Sequence, residues 1–412
     1  MVNNTNAWGE TLPLAEVLDF REGPGILARD FRGEGIPLIR LAGLKRGARL
    51  LKGCDYLDPK MVDAKWAKFR VGVGDVLLST SASLGEVAVV DEEAAGAVPY
   101  TGIIRFRSAN TRMAEEFVEF ALRAPSFKLQ IEAMGVGSVM RHFGPMHLRQ
   151  MTINVPPVAQ QIAISKILRA LDDKIASTDR IFGSTHALGD ACFIIAQKSA
   201  ERRYTLAELA AEKTIIFGDG YRTKRSEHGQ PGLPILRVAE VMDGRIEPEF
   251  TDFVADGYRL AMGGKVSQAG DVILTSKGTV GRVAAITAKH PSFVYSPQLC
   301  YFRVLSGSPL LSSFIYFWLR SSDFWQQAAT RKSQTDMADY LSLTDIRELT
   351  IPVPTPKSYG QWRSALSHLL EQISACNEEN MALEKLRDTL LPKLISGEIR
   401  VRDAEKVVEE VT

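Results

Sequence analysis

The sequence is poor in cysteine and has no long apolar run. Its 412 residues include four cysteines, Cys54, Cys192, Cys300 and Cys376, which lie far apart and form no CxxC pair. That spacing indicates neither a disulfide framework nor a zinc site. The N-terminus has no basic-then-apolar signal, and no run of 18 apolar residues predicts a transmembrane helix. We therefore expect a cytoplasmic protein with reduced thiols and no membrane partner.

The chain also lacks an excess of charge and the common catalytic motifs. Lys and Arg number 50 against 49 for Asp and Glu, which disfavours nucleic-acid binding through bulk positive charge but allows a local basic face. No phosphate loop, no [ND]PP[FYW] run of the adenine-methyltransferase kind, and no HExxH or GxSxG motif is present. Nothing brings together a nucleophile, a base and an orienting group, so we expect no catalytic residues and no bound metal.

An internal duplication dominates the sequence. GDVLLS at 74–79 recurs as GDVILT at 270–275, an offset of 196 residues. GIPLIRLAGL at 35–44 matches GLPILRVAEV at 232–241, and MTINVPP at 151–157 echoes LTIPVPT at 349–355. A period near 196 residues is too long for a solenoid or a propeller. It predicts two copies of one domain-sized unit.

Each copy has the same predicted order of elements. Short apolar runs bounded by Gly, Asp or Ser predict strands near 37–41, 75–78, 86–90 and 103–106, and again near 233–238, 272–274, 282–286 and 300–303. A short helix follows in each copy, at 114–123 and 311–320. The fold class is therefore predicted as α+β, with two duplicated α/β domains.

A long helix follows each copy. Residues 158–203 and 361–397 carry apolar side chains at steps of three and four, which places them on one stripe of each helix. Gly397 suits the position after the helix end, and Pro392 is expected to kink or loosen the last turns. The predicted stripe residues, which pack against the other helix or against a partner, are Leu168, Leu171, Ile175, Phe182, Leu369, Ile373, Leu383, Leu386 and Leu390.

Basic loops are the main sign of a ligand. Residues 40–70 hold nine basic residues against three acidic ones, and the second copy has basic clusters at 222–225 and 331–332. Lysine and arginine in loops with hydroxyl and amide neighbours suit contacts with phosphates and base edges. The candidate DNA-binding residues are Lys45, Arg46, Arg49, Lys52, Lys68, Arg70, Arg141, Arg222, Lys224, Arg225, Lys277, Arg331 and Lys332.

Two binding domains joined by long helices predict a two-headed reader of double-stranded DNA. Each head would contact one short half-site, and the helices would fix the gap between the half-sites. Two alternatives stay open on the same residues. One is a coiled-coil adaptor that binds only protein, and the other is a stand-alone DNA methyltransferase or nuclease with an unrecognised site.

Two motifs carry a resemblance to a known family. PPVAQQIAI at 156–164, followed by LRALDDKI at 168–175, is similar to the PPLxEQxxI…LxxLDxKI element of the DNA-specificity subunits of type I restriction-modification systems. LRDTLLPKLISGEI at 386–399 is similar to the closing LRxxLLxxLxSGxI helix of that family. Gln160 stands where the family has Glu, and TPKSYGQ at 355–361 replaces the corresponding element of the second copy.

The resemblance implies a domain plan and a set of partners. The plan has target-recognition domain 1 at 1–156, a spacer helix at 157–203, target-recognition domain 2 at 204–355, a distal spacer helix at 356–400 and an acidic tail at 401–412, with the two helices packed as an antiparallel coiled coil. The implied partners are two methyltransferase (modification) subunits and restriction/translocase subunits. S-adenosylmethionine, ATP and Mg would belong to those partners, and this chain would be a non-catalytic subunit with no cofactor of its own.

Overall fold

The protein has an α+β fold, as the sequence predicts. A computed structural model describes residues 8–45, 47–134, 143–331, 340–354 and 356–411. The chain divides into two compact units, which we call unit 1 (Met1–Ile175 with Ala382–Thr412) and unit 2 (Ala176–Met381). The five predicted segments of the domain plan are finer than these two units and stay a prediction. No helix in the described ranges is long and apolar enough to cross a bilayer.

Unit 1 begins the chain with short strands and short helices. Its strands are β1 (Glu10–Pro13), β2 (Leu18–Glu22), β3 (Phe31–Arg32), β4 (Ile36–Ile39), β5 (Asp55–Leu57), β6 (Val76–Ser79), β7 (Val87–Val89), β8 (Val98–Pro99), β9 (Ile103–Ser108) and β10 (Thr152–Val155). Its helices are α1 (Leu14–Val17), α2 (Leu41–Leu44), α3 (Pro59–Met61), α4 (Glu115–Arg123), α5 (Pro125–Met134) and α6 (Pro145–Leu148), followed by the first part of α7 (Val158–Lys198).

Unit 2 follows with a second set of the same kinds of element. Its strands are β11 (Ala200–Thr205), β12 (Ile215–Asp219), β13 (Gly232–Leu236), β14 (Val241–Met242), β15 (Arg245–Ile246), β16 (Phe253–Ala255), β17 (Val272–Thr275), β18 (Val283–Ala285), β19 (Val294–Tyr295), β20 (Leu299–Val304) and β21 (Thr350–Pro354). Its helices are α8 (Leu206–Ala211), α9 (Arg259–Met262), α10 (Ser312–Arg320), α11 (Ser322–Ala329) and α12 (Leu343–Arg347), followed by α13 (Pro356–Ser396), and α14 (Val401–Glu409) ends the chain in unit 1.

The sheets show that the duplication extends to topology. The four-stranded sheet of unit 1 has the order β2-β9-β6-β7, and that of unit 2 has the order β12-β20-β17-β18. In both sheets the strand from the Gly-Asp motif, β6 or β17, is central and fully buried, which explains why it is a continuous apolar run. A smaller sheet in each unit contains one parallel pair, β4 with β8 and β13 with β19.

The two long helices contribute to both cores, and their order in the two units is reversed. In unit 1, Leu168 and Leu171 of α7 share a core with Leu383 and Leu390 of α13. In unit 2, the later part of α7, represented by Phe193, shares a core with the earlier residues Leu366 and Ile373 of α13. An early segment of one helix meets a late segment of the other in each case, which is the pattern of an antiparallel pair.

The ends of the helices differ in detail from the prediction. Helix α7 ends at Lys198 rather than at 203, because residues 200–205 form β11 and pair with β21. Helix α13 continues through Pro392 to Ser396, and Gly397 follows it with φ +77°. The predicted acidic tail contains α14, whose residues Ala404 and Val408 are buried in the core of unit 1.

Candidate nucleic-acid interface

A duplicated carboxylate–guanidinium pair lies at the start of the central strand of each four-stranded sheet. Asp75 precedes β6 and accepts hydrogen bonds from the guanidinium of Arg107 on β9, one of them at 2.7 Å. Asp271 precedes β17 and accepts two from Arg303 on β20, both at 2.7 Å. The aspartate of the recurring Gly-Asp motif and the arginine of Phe-Arg, which occurs at 106–107 and again at 302–303, are therefore the two sides of one ion pair. The pair in unit 2 is deeper, since the side chain of Arg303 is 9% exposed against 44% for Arg107.

A loop fixed by a buried hydroxyl follows the central strand of each sheet. Ser79 donates its hydroxyl hydrogen bond to the carbonyl of Ser83, and its oxygen accepts from the backbone N–H of Glu86 at 2.9 Å. Thr275 repeats both bonds with Thr279, at 2.5 Å, and Arg282, at 2.9 Å. We call residues 80–86 and 276–282 the pinned loops. Their backbone positions are set by bonds that both copies share.

Two further backbone contacts recur beside each pinned loop. The N–H of Thr80 donates to Gly102, and the N–H of Ser276 donates to Gln298, so a turn between two strands lies next to the loop. Phe143 donates its N–H to the carbonyl of Thr80 at 3.3 Å, and Leu341 donates its N–H to the carbonyl of Ser276 at 3.0 Å. These contacts gather several loops at one edge of each sheet, the arrangement in which loops carry binding residues on a rigid scaffold.

The candidate basic residues of unit 1 differ in how free their charges are. Lys45, Lys52 and Lys68 are exposed, and no ion pair among the described residues involves them. Arg49 is exposed but bonded to Glu93 at 2.5 Å, which raises the pKa of Arg49. Arg70 is half-buried, donates to Asp63 at 2.7 Å and also donates to the carbonyl of Gly96. Arg70 therefore has partners within the protein already. Arg46 and Arg141 lie outside the described residues.

The structure adds arginines that the sequence argument missed. Arg21 on β2 pairs in register with Arg105 on β9, and Arg21 donates to the backbone carbonyl of Lys68 at 3.0 Å. Burial, followed by the charge of Arg107, lowers the pKa of Arg105, which donates to Asp19 at 2.8 Å. The spacing of Arg105 and Arg107 by two residues, at the end of the strand predicted near 103–106, was the available signal, because alternate residues of a strand lie on one face.

In unit 2, three candidate basic residues lie beside the turn that contacts the pinned loop. Tyr221 donates its N–H to Tyr295 at 2.7 Å, so the chain that continues to Arg222, Lys224 and Arg225 starts at the turn containing Gln298. These three side chains are exposed. The turn thus has the basic segment 222–225 on one side and the pinned loop on the other.

The remaining candidates of unit 2 occupy different settings. Lys277 is on the pinned loop itself, half-buried, and its backbone forms an isolated bridge with Tyr340. Arg331 is exposed just after α11. Lys332 lies outside the described residues. The structure therefore brings Lys277 and the 222–225 segment to one turn. The role of all these residues in DNA binding stays a prediction.

The basic segments of the two units do not lie at equivalent positions. Residues 40–70 of unit 1 carry a net charge of +6, whereas the equivalent residues 237–267 of unit 2 hold four basic and six acidic residues. The equivalence is set by the matched parallel pairs, Leu38 with Val98 and Ile235 with Val294. Both units thus contain basic loops, but the loops are at different positions in the fold.

The candidate helix residues all face the interior of their unit to some degree. Those that are buried are Leu168, Leu171, Ile175, Ile373, Leu383 and Leu390, and those that are half-buried are Phe182, Leu369 and Leu386.

A glutamine of the PPxxQQ motif fastens the start of α7. Gln161 is fully buried, and its side-chain oxygen accepts from the N–H of Ala114 at 2.7 Å. Its amide group donates to the carbonyls of Arg112 and Pro156, both at 2.7 Å. Two of these bonds join α7 to the segment that enters α4, and the third holds the residue pair that precedes α7. This explains why a glutamine, with two donors and an acceptor, occurs at this point of the motif.

An arginine at the end of a short helix contacts α7 in both units. Arg123 at the end of α4 donates to Asp172 at 2.9 Å, and Arg320 at the end of α10 donates to Asp190 at 3.4 Å. In unit 2 the neighbouring His186 shares a hydrogen bond of 2.7 Å with the hydroxyl of Tyr316. Burial, helped by the charge of Arg320, lowers the pKa of His186 to about 4. His186 is therefore neutral at physiological pH and acts in packing.

No group of three His, Cys, Asp or Glu side chains in the described ranges is arranged to hold a metal ion.

Comparison with known families identifies the first part of the chain. Residues 11–181 match the model of the type I restriction modification DNA specificity domain. They contain β1 to β10 and the first part of α7, and the duplicated topology extends the same architecture to unit 2.

Full-length relatives support the resemblance predicted from the motifs. The MjaIX specificity subunit of a type I restriction enzyme from Methanocaldococcus jannaschii is 22% identical over 363 residues, covering 80% of this chain and 78% of that protein. The MjaVIII specificity subunit from the same organism is 19% identical over 320 residues, covering 73% of this chain and 74% of that protein. The predicted resemblance to type I specificity subunits is thereby confirmed.

A solved structure supports the fold. The S subunit of a type I restriction-modification system from M. genitalium aligns with a TM-score of 0.56 and 18% sequence identity, covering 96% of this chain and 97% of that one. The shared fold includes both units and both long helices, since the alignment spans nearly the whole of each chain.

Proposed function

We propose that this chain is the sequence-specific DNA-binding subunit of a type I restriction-modification complex. In this proposal each unit reads one half-site of a bipartite target, and the two long helices set the length of the gap. The observation that carries it is the duplication of the pinned loop, and of the ion pair at the other end of the same strand, within a chain that resembles specificity subunits. Two domains that hold their loops by the same bonds suit two separate contacts with one DNA duplex.

The proposal assigns the chemistry to other subunits. The match to the type I DNA specificity domain and the relatives' names support a reader of sequence, and the sequence has no phosphate loop and no [ND]PP[FYW], HExxH or GxSxG motif. S-adenosylmethionine, ATP and Mg would then be bound by modification and restriction subunits, and this chain would work with them in the cytoplasm. The modification subunit would flip the adenine that it methylates out of the duplex.

An exposed apolar stripe on α7 supports the docking of such subunits. Ile181, Leu188 and Ile195 are each about half exposed, at 52%, 55% and 52%, and they are seven residues apart. Residues seven apart lie on one side of a helix, and an apolar stripe at that spacing packs against another helix. A modification subunit that supplies an amphipathic helix would cover it.

Methylation mapping tests the reading function. The chain is expressed with its modification subunit in a host that lacks adenine methylation of its own, and the methylated sequences are read across the genome. We expect one bipartite motif that depends on this chain. Exchanging residues 1–156 for another recognition domain should change one half-site only, and a seven-residue insertion in α7 should change the gap only. A domain exchange that alters both half-sites would contradict the assignment of one unit to each.

Co-purification tests the docking function. Replacing Leu188 by Glu places a charge on the exposed stripe, and we expect the modification subunit to be lost from the purified complex. Replacing the exposed Gln372 on α13 by Glu is the matched control and should leave the complex intact. Equal recovery of the complex from both variants would show that the stripe is not the docking surface.

A further inference from the structure

We propose that the side chains at the tips of the pinned loops, residues 81–84 in unit 1 and 277–280 in unit 2, read bases, and that Lys277 selects a guanine. This inference rests on the proposed function, since it names the residues by which each unit chooses its half-site. It also separates base-reading residues from phosphate-binding ones, which the composition of the basic loops leaves open.

The two loops share one backbone structure, which we call the frame. The same hydroxyl bonds hold Ser79 and Thr275, and the residue at the tip has positive φ in both loops, +60° at Ala82 and +79° at Gly278. Alanine rarely adopts this conformation, so its presence at 82 shows that the surrounding bonds impose the shape. A side chain carried on such a frame is held at a defined place.

The frame is shared but the tips differ. The bonded residues at the base are a serine and a threonine, which supply the same hydroxyl. The tip sequences are Ser-Ala-Ser-Leu at 81–84 and Lys-Gly-Thr-Val at 277–280, and the two central residues of each tip are exposed. The bonds that hold the loop are the same in both units, whereas the exposed side chains at its tip differ. This arrangement lets two copies of one fold choose different half-sites.

Lys277 is the basic residue at the tip of the pinned loop in unit 2. Its side chain is half-buried, its backbone is bridged to Tyr340, and no ion pair of the described residues involves its ammonium group. Lys265 in the same unit, by contrast, donates to Asp219 at 3.3 Å and to the carbonyl of Gly220 at 2.8 Å. Within the part of the chain that the structure describes, the ammonium group of Lys277 is therefore an unpaired donor on a fixed loop. In the major groove a lysine donor matches the two acceptors of guanine, O6 and N7.

The basic residues next to the loop suit a different role, which is contact with phosphates. Arg222, Lys224 and Arg225 are exposed on the segment that starts at the adjacent turn, and they lie next to the loop rather than on it. Exposed cations that flank a reading element suit phosphate contacts, which fix the position of the protein without selecting sequence. Lys277 and Arg225 carry the same charge, but we expect Lys277 to select a base and Arg225 to bind a phosphate.

The experiment compares Lys277→Gln with Arg225→Gln in the complete modification complex. Binding to oligonucleotides that carry the mapped target is measured for all four bases at each position of the half-site that unit 2 reads, at several salt concentrations. For Lys277→Gln we expect the preference for guanine at one position to fall by roughly 10- to 100-fold. For Arg225→Gln we expect weaker binding to every sequence alike and a salt dependence reduced by about one ion. A uniform loss from Lys277→Gln, with the base preference unchanged, would overturn the assignment.

A loop exchange tests the tips as a set. The variant S81K/A82G/S83T/L84V gives unit 1 the tip of unit 2, and methylation mapping reads the outcome. We expect one half-site to change and to acquire a required guanine, and an unchanged half-site at wild-type methylation would refute the role of the tips. Glu92→Gln, in another exposed turn of unit 1, is the control and should leave the motif unchanged. If the exchanged loop does not fold, Lys277→Gln still decides the matter. A wild-type complex that methylates no motif would instead count against the proposed function itself.

Discussion

The two carboxylate–guanidinium pairs offer a matched test of burial, because they are the same interaction at different depths. Replacing Asp271 by Ala removes the partner of Arg303, whose side chain is 9% exposed. It also removes the acceptor of the Tyr295 hydroxyl, at 2.6 Å, and of the N–H of Gln268, at 2.9 Å. Asp75→Ala in unit 1 leaves Arg107, which is 44% exposed and can be rehydrated.

The expected costs follow from that difference. Removing one partner of a buried ion pair leaves an uncompensated charge and costs about 3–5 kcal/mol of unfolding free energy. When the remaining guanidinium reaches water, the loss is closer to that of a few charged hydrogen bonds, and we expect about 1–2 kcal/mol for Asp75→Ala. The double variant Asp271→Ala/Arg303→Met should recover part of the loss, because it removes the unpaired charge.

Native-state hydrogen exchange of the whole chain is the suitable assay, since it reports the stability of each unit separately. Peptides from Val272–Thr275 and Leu299–Val304 report on unit 2, and peptides from Val76–Ser79 and Ile103–Ser108 report on unit 1. A loss in Asp75→Ala that equals or exceeds the loss in Asp271→Ala would refute the argument that burial sets the cost.

Three further predictions concern single contacts. Gln161→Ala removes three buried hydrogen bonds and should destabilise unit 1 by about 2–3 kcal/mol in urea unfolding, whereas the neighbouring Gln160→Ala should cost under about 0.5 kcal/mol. Gly397→Ala requires positive φ and places a Cβ 2.2 Å from the ring of Trp8, so we expect a loss of about 2–4 kcal/mol, and an unchanged melting temperature would contradict the close contact. His186 has its pKa lowered to about 4 in the folded protein, so the unfolded chain binds more protons below its ordinary pKa of 6.5, and stability falls as the pH drops through that range. Between pH 7.5 and pH 5 the loss should be about 2 kcal/mol, and it should disappear in His186→Gln, as measured by urea unfolding at both pH values.

Much of the fold could be predicted because the duplication presents the sequence pattern of each element twice. The strands predicted near 75–78 and 272–274 appear as Val76–Ser79 and Val272–Thr275, and the short helices predicted at 114–123 and 311–320 appear as Glu115–Arg123 and Ser312–Arg320. Buried runs between Gly and Ser give a strong local signal. Strand order could not be predicted in this way, because pairing depends on contacts between distant residues.

The ends of the long helices were less predictable for a physical reason. Helical periodicity continues past Lys198, but residues 200–205 instead pair with Thr350–Pro354, a partner that lies about 150 residues away in sequence. At the other end, the acidic composition of the last 12 residues hid an amphipathic helix that buries Ala404 and Val408. In both places the local sequence pattern leaves the secondary structure ambiguous, and tertiary contacts determine it.

The candidate site shows what sequence can and cannot separate. Counting charges found the basic segments but did not distinguish Arg70, which is bonded to Asp63 and Gly96, from Lys45, which is exposed and unpaired among the described residues. It also gave equal weight to Lys277 and to the 222–225 segment, although only Lys277 is carried on a pinned loop. Ion pairing within the protein determines which charges are available to a ligand, and that depends on the fold.

The residues that the two copies share differ in their bonding from the residues that have diverged. The residues that recur at the 196-residue offset are the ones with inward bonds: an aspartate, its arginine and the hydroxyl that holds the loop. The tips of the loops and the basic segments, which face solvent, have diverged in side chain and even in the sign of local charge. If the surface served the same ligand geometry in both units, the phosphate-binding charges would also be expected at matched positions. Among the described residues the basic segments do not lie at matched positions, so under the proposed function each unit would approach its half-site with different flanking loops around the same central strands.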